Sequence, residues 1–274
     1  MAKTAICFWG ITRYPEGVIE SIRKNIFQKA RNLGETKVFC HFFNLKVLNN
    51  NRSGERDIFL ENNWELFNPD NLIFDEPNIV IDEYFKNIKK YGDAFNDNYK
   101  SLSNLLHALY SLKKVFYSCK NYKADSYLFV RPDLIYFDSI ERYLNKSLFT
   151  KEDCIFLPAW QSHNGLNDRF SICSTRNAAL TYATRIDYAI DFCRSKSQPL
   201  HSEYLLKYAV EKSDTKIVFI NTRAARVRAN KKIKKEDFKI AKRLIPKMLI
   251  QNIFLDLVLF RNKLMQFSKK LLKN

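Results

Sequence analysis

One apolar stretch of the sequence ends in residues whose side chains can act on a charged substrate. The run Ser126–Val130 is followed by Arg131, Pro132 and Asp133, and Asp138 lies five positions further on. Open α/β sheets bind ligands at the carboxyl ends of their strands. A carboxylate such as Asp133 can hold Mg²⁺ or Mn²⁺ there, and the guanidinium of Arg131 can instead pair with a phosphate. The alternative is a capped turn in which the two side chains form a surface ion pair.

The segment Val130–Leu134 resembles the degenerate metal-binding motif of GT-A glycosyltransferases. It is most similar to bacterial enzymes of surface-polysaccharide synthesis (capsule and lipopolysaccharide), in which an R-x-D form replaces the usual acidic triplet. The resemblance covers residues 4–222. The first carboxylate of the usual triplet is missing, so a metal role for Asp133 is open. Three other segments agree in order and rough spacing: Phe8–Arg13, Val38–Phe43 and Asn167–Ser174.

The resemblance implies a GT-A-like, Rossmann-related α/β domain that transfers a sugar from a nucleotide-sugar donor to a hydroxyl group. The acceptor would be a surface glycan or a lipid-linked glycan. In this family a small residue and an arginine after the first strand face the nucleotide, which corresponds to Gly10 and Arg13. Glu203 matches a recurrent acidic position, and His201 beside it is a candidate at the phosphates or at a helix N-terminus. Mg²⁺ or Mn²⁺ is a possible cofactor.

The residue types suit this chemistry independently of the resemblance. Charge on a leaving diphosphate must be offset by a metal or by cationic side chains, a role that fits Arg13, Arg131 and Asp133. An acceptor hydroxyl needs a general base, and Asp168 lies on a polar loop that can form a pocket rim. Two alternatives stay open: Asp168 can stabilise its own loop through an Asx-turn, and Arg13 can be a solvated residue after a strand.

Alternating strands and helices must position these side chains. The clearest helix covers residues 99–119, where apolar residues recur with helical period. Strands followed by helices predict an α/β fold with a mostly parallel sheet. The polar residues 49–57 predict a surface loop. Apolar runs predict strands at residues 4–12, 37–43, 126–130, 154–157 and 216–220.

Composition excludes several other classes of site. The chain has 274 residues and only six glycines, none of them near neighbours. Neither a dinucleotide-binding nor a phosphate-binding glycine-rich loop is therefore present. The four histidines form no H-x-x-x-H or H-E-x-x-H pair, and there is no G-x-S-x-G, so zinc-hydrolase and serine-hydrolase motifs are missing. The six cysteines lie apart in mostly apolar surroundings, which predicts reduced core thiols.

The net charge of +17 is concentrated near the C-terminus. Residues 223–274 carry 16 Lys and Arg against 3 Asp and Glu, whereas residues 1–222 carry 30 against 26. We therefore divide the chain into a catalytic domain, 1–222, and a basic amphipathic tail, 223–274. Polar residues interrupt the apolar run of the tail, so it predicts a surface helix rather than a membrane span. Residues 231–274 would contact an anionic membrane, and the alternative is a helix packed back on the body.

These observations predict a nucleotide-sugar-dependent glycosyltransferase that is peripheral on the inner face of the cytoplasmic membrane. Its expected partners are a nucleotide sugar, a glycan or glycolipid acceptor and anionic lipid. Nucleic acid is not an expected partner, because the aromatic residues of the tail lie in its helical stripe rather than between its basic residues. The alternative is a non-catalytic basic protein that binds nucleic acid or serves as a membrane scaffold.

Overall fold

The central sheet has seven strands in a computed structural model that describes residues 1–77, 81–253, 256–257 and 260. The strands are β1 (Ala2–Gly10), β2 (Gly34–Phe43), β3 (Val47–Asn50), β4 (Glu55–Phe59), β5 (Asn71–Asp75), β6 (Ser126–Val130), β7 (Leu134–Tyr136), β8 (Cys154–Pro158), β9 (Ser171–Cys173), β10 (Lys216–Ile220) and β11 (Ala224–Arg226). The helices are α1 (Ile19–Ile22), α2 (Gln28–Leu33), α3 (Asp82–Lys89), α4 (Lys100–Ser118), α5 (Glu141–Phe149), α6 (Arg176–Ala183), α7 (Ala189–Lys196) and α8 (Ser202–Glu211).

The order of strands in the central sheet is β10-β8-β9-β6-β1-β2-β5. Strand β9 runs antiparallel to both of its neighbours, and the other pairings are parallel. The predicted α/β class with a mostly parallel central sheet is confirmed. The carboxyl ends of β1, β2 and β6 consequently meet at one edge of the sheet, which is where such folds bind ligands.

Helices cover both faces of the sheet because the inner strands alternate their apolar side chains. On β1, Ile6 and Phe8 point to the face covered by α1, α2 and α5, whereas Cys7 and Trp9 point to the face covered by α4, α6 and α8. Strands buried on both faces are apolar throughout, as expected for a parallel sheet. All six cysteines are buried and unpaired by disulfides, so the prediction of reduced core thiols is confirmed.

The surface loop predicted for residues 49–57 is wrong. Those residues contribute to β3 and β4, which form an antiparallel hairpin with a register shift between Leu48 and Asn50. The polar composition was misleading because the hairpin is small and its strands are partly exposed, so few of its positions need apolar side chains. One of them, Glu55, is nevertheless fully buried.

Residues beyond 222 continue to pack on the body. Strand β11 pairs antiparallel with β7, and Ile240 forms a bridge with Trp160. The ring of Phe238 lies 5.1 Å from that of Trp160. The boundary at residue 222 stays a prediction, and residues 261–274 of the predicted tail lie outside the described residues.

A C-terminal helix follows at residues 245–253. Its inward side uses Met248, which is buried, and Gln251, whose side-chain amide pairs with the backbone of the edge strand β10 at Phe219 N (3.3 Å) and Ile217 O (2.6 Å). The buried ammonium of Lys146 lies 2.7 Å from the Asp256 carboxylate just beyond. Among the described residues, no helix combines the length and apolar composition that crossing a bilayer requires.

Phe8 tests the packing of this core. Its ring is fully buried and lies 4.7 Å from Phe67 and 5.8 Å from Phe27. We expect Phe8→Ala to lower the free energy of unfolding by about 3–5 kcal/mol, because the change removes apolar contacts and leaves a cavity. Urea unfolding measures this. The matched control Phe59→Ala, at an exposed ring, should change stability by less than about 0.5 kcal/mol, and equal effects of the two variants would contradict the described core.

Candidate active site

A cavity of about 830 Å³ opens at the carboxyl ends of β1, β2 and β6. Its walls also include residues from the β3–β4 hairpin, the N-terminal part of α4, the N-terminus of α8 and the segment after β11. The structure brings seven sequence-predicted site residues to this one cavity, although their individual roles stay predictions. Those residues are Gly10, Arg13, Arg131, Asp133, Asp168, His201 and Glu203. Asp138 is not among the residues that line the cavity and pairs instead with Arg223.

Gly10 ends β1 in the left-handed region of backbone conformation, with φ of +104°. Side chains other than glycine rarely adopt this region. The Gly10 backbone N–H donates to Oγ of Ser111 on α4 at 2.8 Å, which ties the strand end to the helix. The chain then turns so that Arg13 reaches the cavity.

Arg131 and Asp133 form a bidentate ion pair, with Nε and Nη2 of the arginine each 2.8 Å from a carboxylate oxygen. A surface pair was the alternative drawn from the sequence, but Asp133 is 2% exposed. Burial opposes ionisation of this carboxyl group, yet Arg131 and then Arg13 outweigh it and hold the pKa of Asp133 well below its ordinary value. Nε of Arg13 lies 3.4 Å from Asp133 Oδ2. Asp133 is therefore an ionised, buried counter-ion to two arginines.

Glu55 is a site residue that the sequence did not reveal. Its buried carboxylate binds Arg13 and Ser53 through short hydrogen bonds, accepts from the Ala229 backbone N–H at 2.7 Å and lies 3.7 Å from Arg228. Burial raises the pKa of Glu55, but Arg13 and these hydrogen bonds lower it further, to a value below the ordinary one. A single acidic residue in a polar run gives no sequence signal for such a contact.

The pairing of β11 with β7 places two further arginines beside Asp133, because Val227 N–H donates to Asp133 O at 2.8 Å. Arg226 forms a bidentate pair with buried Glu236 at 2.7 and 3.1 Å. Arg228 is held less tightly, because its contact with Glu55 is longer, at 3.7 Å. Burial and then repulsion from Arg13 lower the pKa of Arg228 to about 10. The sequence placed both arginines in the basic tail, so their membership of the site was missed.

Asp168 also lines the cavity and is also buried. Its Oδ2 accepts a hydrogen bond from Ser202 and lies 3.5 Å from Nη2 of the fully buried Arg185. Burial raises the pKa of Asp168, but Arg185 and then Arg169 bring it below the ordinary value. The carboxylate is therefore ionised at neutral pH, and it is held by partners outside its own loop, unlike a residue of a simple Asx-turn.

Gly165 allows the Asp168 loop to meet α8. A Cβ at this position would lie 2.3 Å from the Glu203 carbonyl oxygen, and Leu166 N–H donates to that same oxygen at 3.0 Å. Only a glycine permits this approach without displacing the backbone. The loop and the helix N-terminus are thereby locked together, which brings Asp168 next to His201 and Ser202.

His201 and Glu203 form the rim near Asp168. Nδ1 of His201 lies 3.0 Å from Glu203 Oε2, and this contact, against burial, raises the pKa of His201. Aromatic rings flank the imidazole, with Tyr204 at 4.9 Å and Phe95 at 5.6 Å. The guanidinium of Arg52 stacks 3.5 Å from the Phe95 ring centre. This rim combines flat apolar surfaces with polar edges, a combination typical of small-molecule pockets.

Three buried N–H groups on the cavity wall have no hydrogen-bond partner among the described residues. They are Nε1 of Trp9, Nε of Arg169 and Nε of Arg185. A buried donor that lacks a partner costs about 1–3 kcal/mol. All three are hydrogen-bond donors on residues that line the cavity.

The surroundings of Asp133 do not fit a divalent metal. Both carboxylate oxygens are engaged by Arg131, and Arg13 lies against the second of them. Among the described residues, no group of three or more His, Cys, Asp and Glu side chains is placed to hold a metal ion. Mg²⁺ and Mn²⁺ need several oxygen ligands, and the nearby cations would repel them.

Two solved structures are similar to this chain at a low level. One is mouse xyloside xylosyltransferase 1 in its apo form, with 10% sequence identity, a TM-score of 0.42 and coverage of 81% of this chain and 86% of that one. The other is a Bacillus anthracis protein assigned as a glucose-1-phosphate thymidylyltransferase, in complex with sucrose, with 8% identity, a TM-score of 0.37 and coverage of 82% and 90%. No protein-family model matches the chain, and a search of curated proteins finds no relative.

Glu55 gives a test of the buried charge network. We expect Glu55→Gln to lower the free energy of unfolding at pH 7 by about 3–5 kcal/mol, because it removes a buried carboxylate that contacts both Arg13 and Arg228. The folded-state pKa of Glu55 lies below its ordinary value of 4.5. Its stabilisation is therefore complete above that value and is lost as the pH falls through the folded-state pKa.

Urea unfolding of both proteins between neutral and acidic pH measures this difference. The stability gap between the wild type and Glu55→Gln should narrow below pH 4.5. Glu61→Gln, at an exposed carboxylate of the same region, serves as the control and should leave stability nearly unchanged. A gap that is absent at pH 7, or that widens in acid, would refute the ionised state of Glu55.

Proposed function

We propose that the chain is a nucleotide-sugar-dependent glycosyltransferase that extends a surface glycan or lipid-linked glycan. The observation that carries the proposal is that one cavity holds both a group of arginines, its arginine-lined side, and the buried, ionised carboxylate of Asp168. The arginine-lined side includes Arg13, Arg131 and Arg228. A nucleotide sugar combines a diphosphate with a sugar, and an acceptor adds the hydroxyl that attacks it. The arginines match the diphosphate in charge, and the carboxylate can accept the proton of the hydroxyl.

The arginine-lined side would bind the donor diphosphate. When the bond between the sugar C1 and the diphosphate oxygen breaks, negative charge grows on the leaving oxygen. Guanidinium groups already fixed by ion pairs stabilise that charge without rearranging, and such preorganisation is a large contribution to catalysis. Arg131 is fixed by Asp133, and Arg13 by Glu55.

Asp168 would accept the proton of the acceptor hydroxyl as that oxygen bonds to C1 of the sugar. It is ionised, as a base must be, and Ser202 and Arg185 hold its orientation. Arg131 also contributes to the low pKa of Asp168, which indicates that the arginine-lined side and this carboxylate are close enough to act on one substrate. His201 and its aromatic neighbours would shape the rim for the sugar or the acceptor.

The arrangement of cations argues against the alternative of a nucleic-acid-binding protein. Such a protein spreads its basic residues along a face that follows the phosphate backbone. In this chain seven arginines line one cavity, where carboxylates anchor Arg131 and Arg226 among them. A small anionic ligand suits that geometry better than a polymer.

We propose an anionic membrane surface as a further partner, through the C-terminal helix. Its inward contacts are largely polar, through Gln251 and, just beyond, Asp256. The apolar side chains point outward and are 44–69% exposed: Ile245, Leu249, Ile250, Ile253, Leu257 and Phe260. A helix that simply packed back on the body would bury those residues. Exposed lysines such as Lys242 and Lys247 nearby would complement anionic headgroups.

A donor panel tests the activity. We expect one of UDP-, GDP- or CMP-sugars to raise the melting temperature of the protein, because a ligand that binds only the folded state stabilises it. The same donor should be consumed when a glycan acceptor is added. Asp168→Asn should lower kcat by about 10²-fold or more while leaving donor binding nearly unchanged, since general-base catalysis contributes about 10²–10⁴-fold.

The matched control is Asp214→Asn, a carboxylate exposed to solvent between α8 and β10, which should retain wild-type turnover. Circular dichroism verifies that each variant folds. If no nucleotide sugar stabilises or is consumed by the wild type, the proposed activity is wrong. If Asp168→Asn retains full turnover, its role as the base is wrong.

Membrane binding has its own test. We expect Leu249→Ser combined with Ile253→Ser to weaken binding to phosphatidylglycerol-rich vesicles by about tenfold or more, because each apolar side chain contributes about 1.5–3 kcal/mol when it leaves water. Vesicle flotation measures this. Phe59→Ser, at an exposed ring on the body, should bind like the wild type. Equal binding by all three proteins, or equal binding to phosphatidylcholine vesicles, would contradict this proposal.

A further inference from the structure

The arginine-lined side of the cavity has an excess of positive charge over its own counter-ions. Four buried carboxylates lie among its cations: Glu55, Asp133, Asp168 and Glu236. Six cations of the cavity wall lie around them: Arg13, Arg131, Arg169, Arg226, Arg228 and Lys234. The carboxylates therefore neutralise only part of the cationic charge, and the remainder is directed at the cavity.

Two cations of this cluster, Arg169 and Lys234, are repelled by neighbouring cations, and both line the cavity. Burial followed by repulsion from Arg226 lowers the pKa of Arg169, and the same two causes lower the pKa of Lys234. Nε–H of Arg169 lacks a hydrogen-bond partner among the described residues, as does Nε1–H of Trp9 on the adjoining wall. An anion in the cavity would reduce the repulsion between these cations and could accept hydrogen bonds from the donors. A further cation would increase the repulsion.

Asp133 cannot serve at once as the observed counter-ion and as a metal ligand. A divalent ion at its carboxylate would have to displace the contacts of Arg131 Nε and Nη2, each at 2.8 Å. It would also lie beside Arg13, 3.4 Å from the same carboxylate. The other buried carboxylate nearby, Glu55, is committed to Arg13, Ser53 and the Ala229 backbone.

We propose that this side of the cavity is a metal-independent subsite for a diphosphate, in which arginine side chains take the place of a divalent cation. Asp133 and Glu55 are positioning residues that hold Arg131, Arg13 and Arg228 toward the anion. The inference deepens the proposed function, because it names how the donor diphosphate is bound. It does not require that sugar transfer itself be correct.

Inorganic pyrophosphate is the probe, and isothermal titration calorimetry is the measurement. We expect pyrophosphate to bind the full-length wild type in EDTA. Excess Mg²⁺ should weaken that binding, because the metal neutralises the ligand before it meets the arginines. Arg228→Gln should weaken binding in EDTA by about tenfold or more, since charge-assisted hydrogen bonds are the strong ones. Arg194→Gln, at an exposed arginine of α7 outside the cavity, is the matched control and should bind like the wild type.

Asp133→Asn separates the two roles of that residue. As a counter-ion and positioning residue, its loss removes a negative charge near the anion and also the two contacts that orient Arg131. These effects oppose each other, so pyrophosphate affinity in EDTA should stay within about threefold of the wild type. As a metal ligand, its loss would abolish a gain in affinity produced by Mg²⁺ or Mn²⁺. Circular dichroism verifies folding, and if the variant does not fold, the metal titration of the wild type decides the question.

A wild type that binds pyrophosphate at least tenfold more tightly with Mg²⁺ or Mn²⁺ than in EDTA would overturn the inference. Failure to bind pyrophosphate in either condition would overturn it as well. The proposed activity fails separately: a protein that binds pyrophosphate in EDTA but consumes no nucleotide sugar keeps this subsite and loses the transferase. A protein that transfers sugar only with metal keeps the transferase and loses this inference.

Discussion

A guanidinium group that leaves water needs an anion beside it, because an isolated buried charge is very costly. The cavity of this protein depends on that requirement. Glu55, Asp133 and Glu236 are buried behind the arginines that they hold. Each carboxylate restricts the orientation of its arginine before any ligand arrives. In the proposed function, the same ion pairs that allow the arginines to be buried also prepare them to receive an anion.

The parallel sheet explains how distant parts of the chain form this network. The carboxyl ends of β1 and β6 lie side by side because the two strands pair in parallel, so Arg13 and Arg131 emerge at the same edge. The pairing of β11 with β7 adds Arg226 and Arg228, more than 90 residues further along the chain. The β3–β4 hairpin supplies Glu55 from above the edge. Four separate segments of the chain thus contribute side chains to one network of ion pairs.

The C-terminal helix differs from an ordinary surface helix, which packs its apolar side chains against the body. Gln251 satisfies backbone groups at the exposed edge of β10, and Asp256 satisfies the buried Lys146. An unpaired sheet edge and a buried ammonium are both costly, so polar side chains are what the body needs at this contact. Apart from Met248, which is buried, the apolar side chains of the helix face away from the body.

Local pattern determined the elements of the sheet and several site residues. Apolar runs marked β1, β2, β6, β8 and β10, and polar residues at strand ends marked Arg13, Arg131 and Asp133, because strand ends in a parallel sheet share one edge. What local pattern could not determine is which charges meet. Glu55 in a polar hairpin and Arg228 in a basic segment have the composition of surface residues. Only the tertiary structure buries both against Asp133 and Arg13, because ion pairing depends on distance in space and carries no periodicity along the chain.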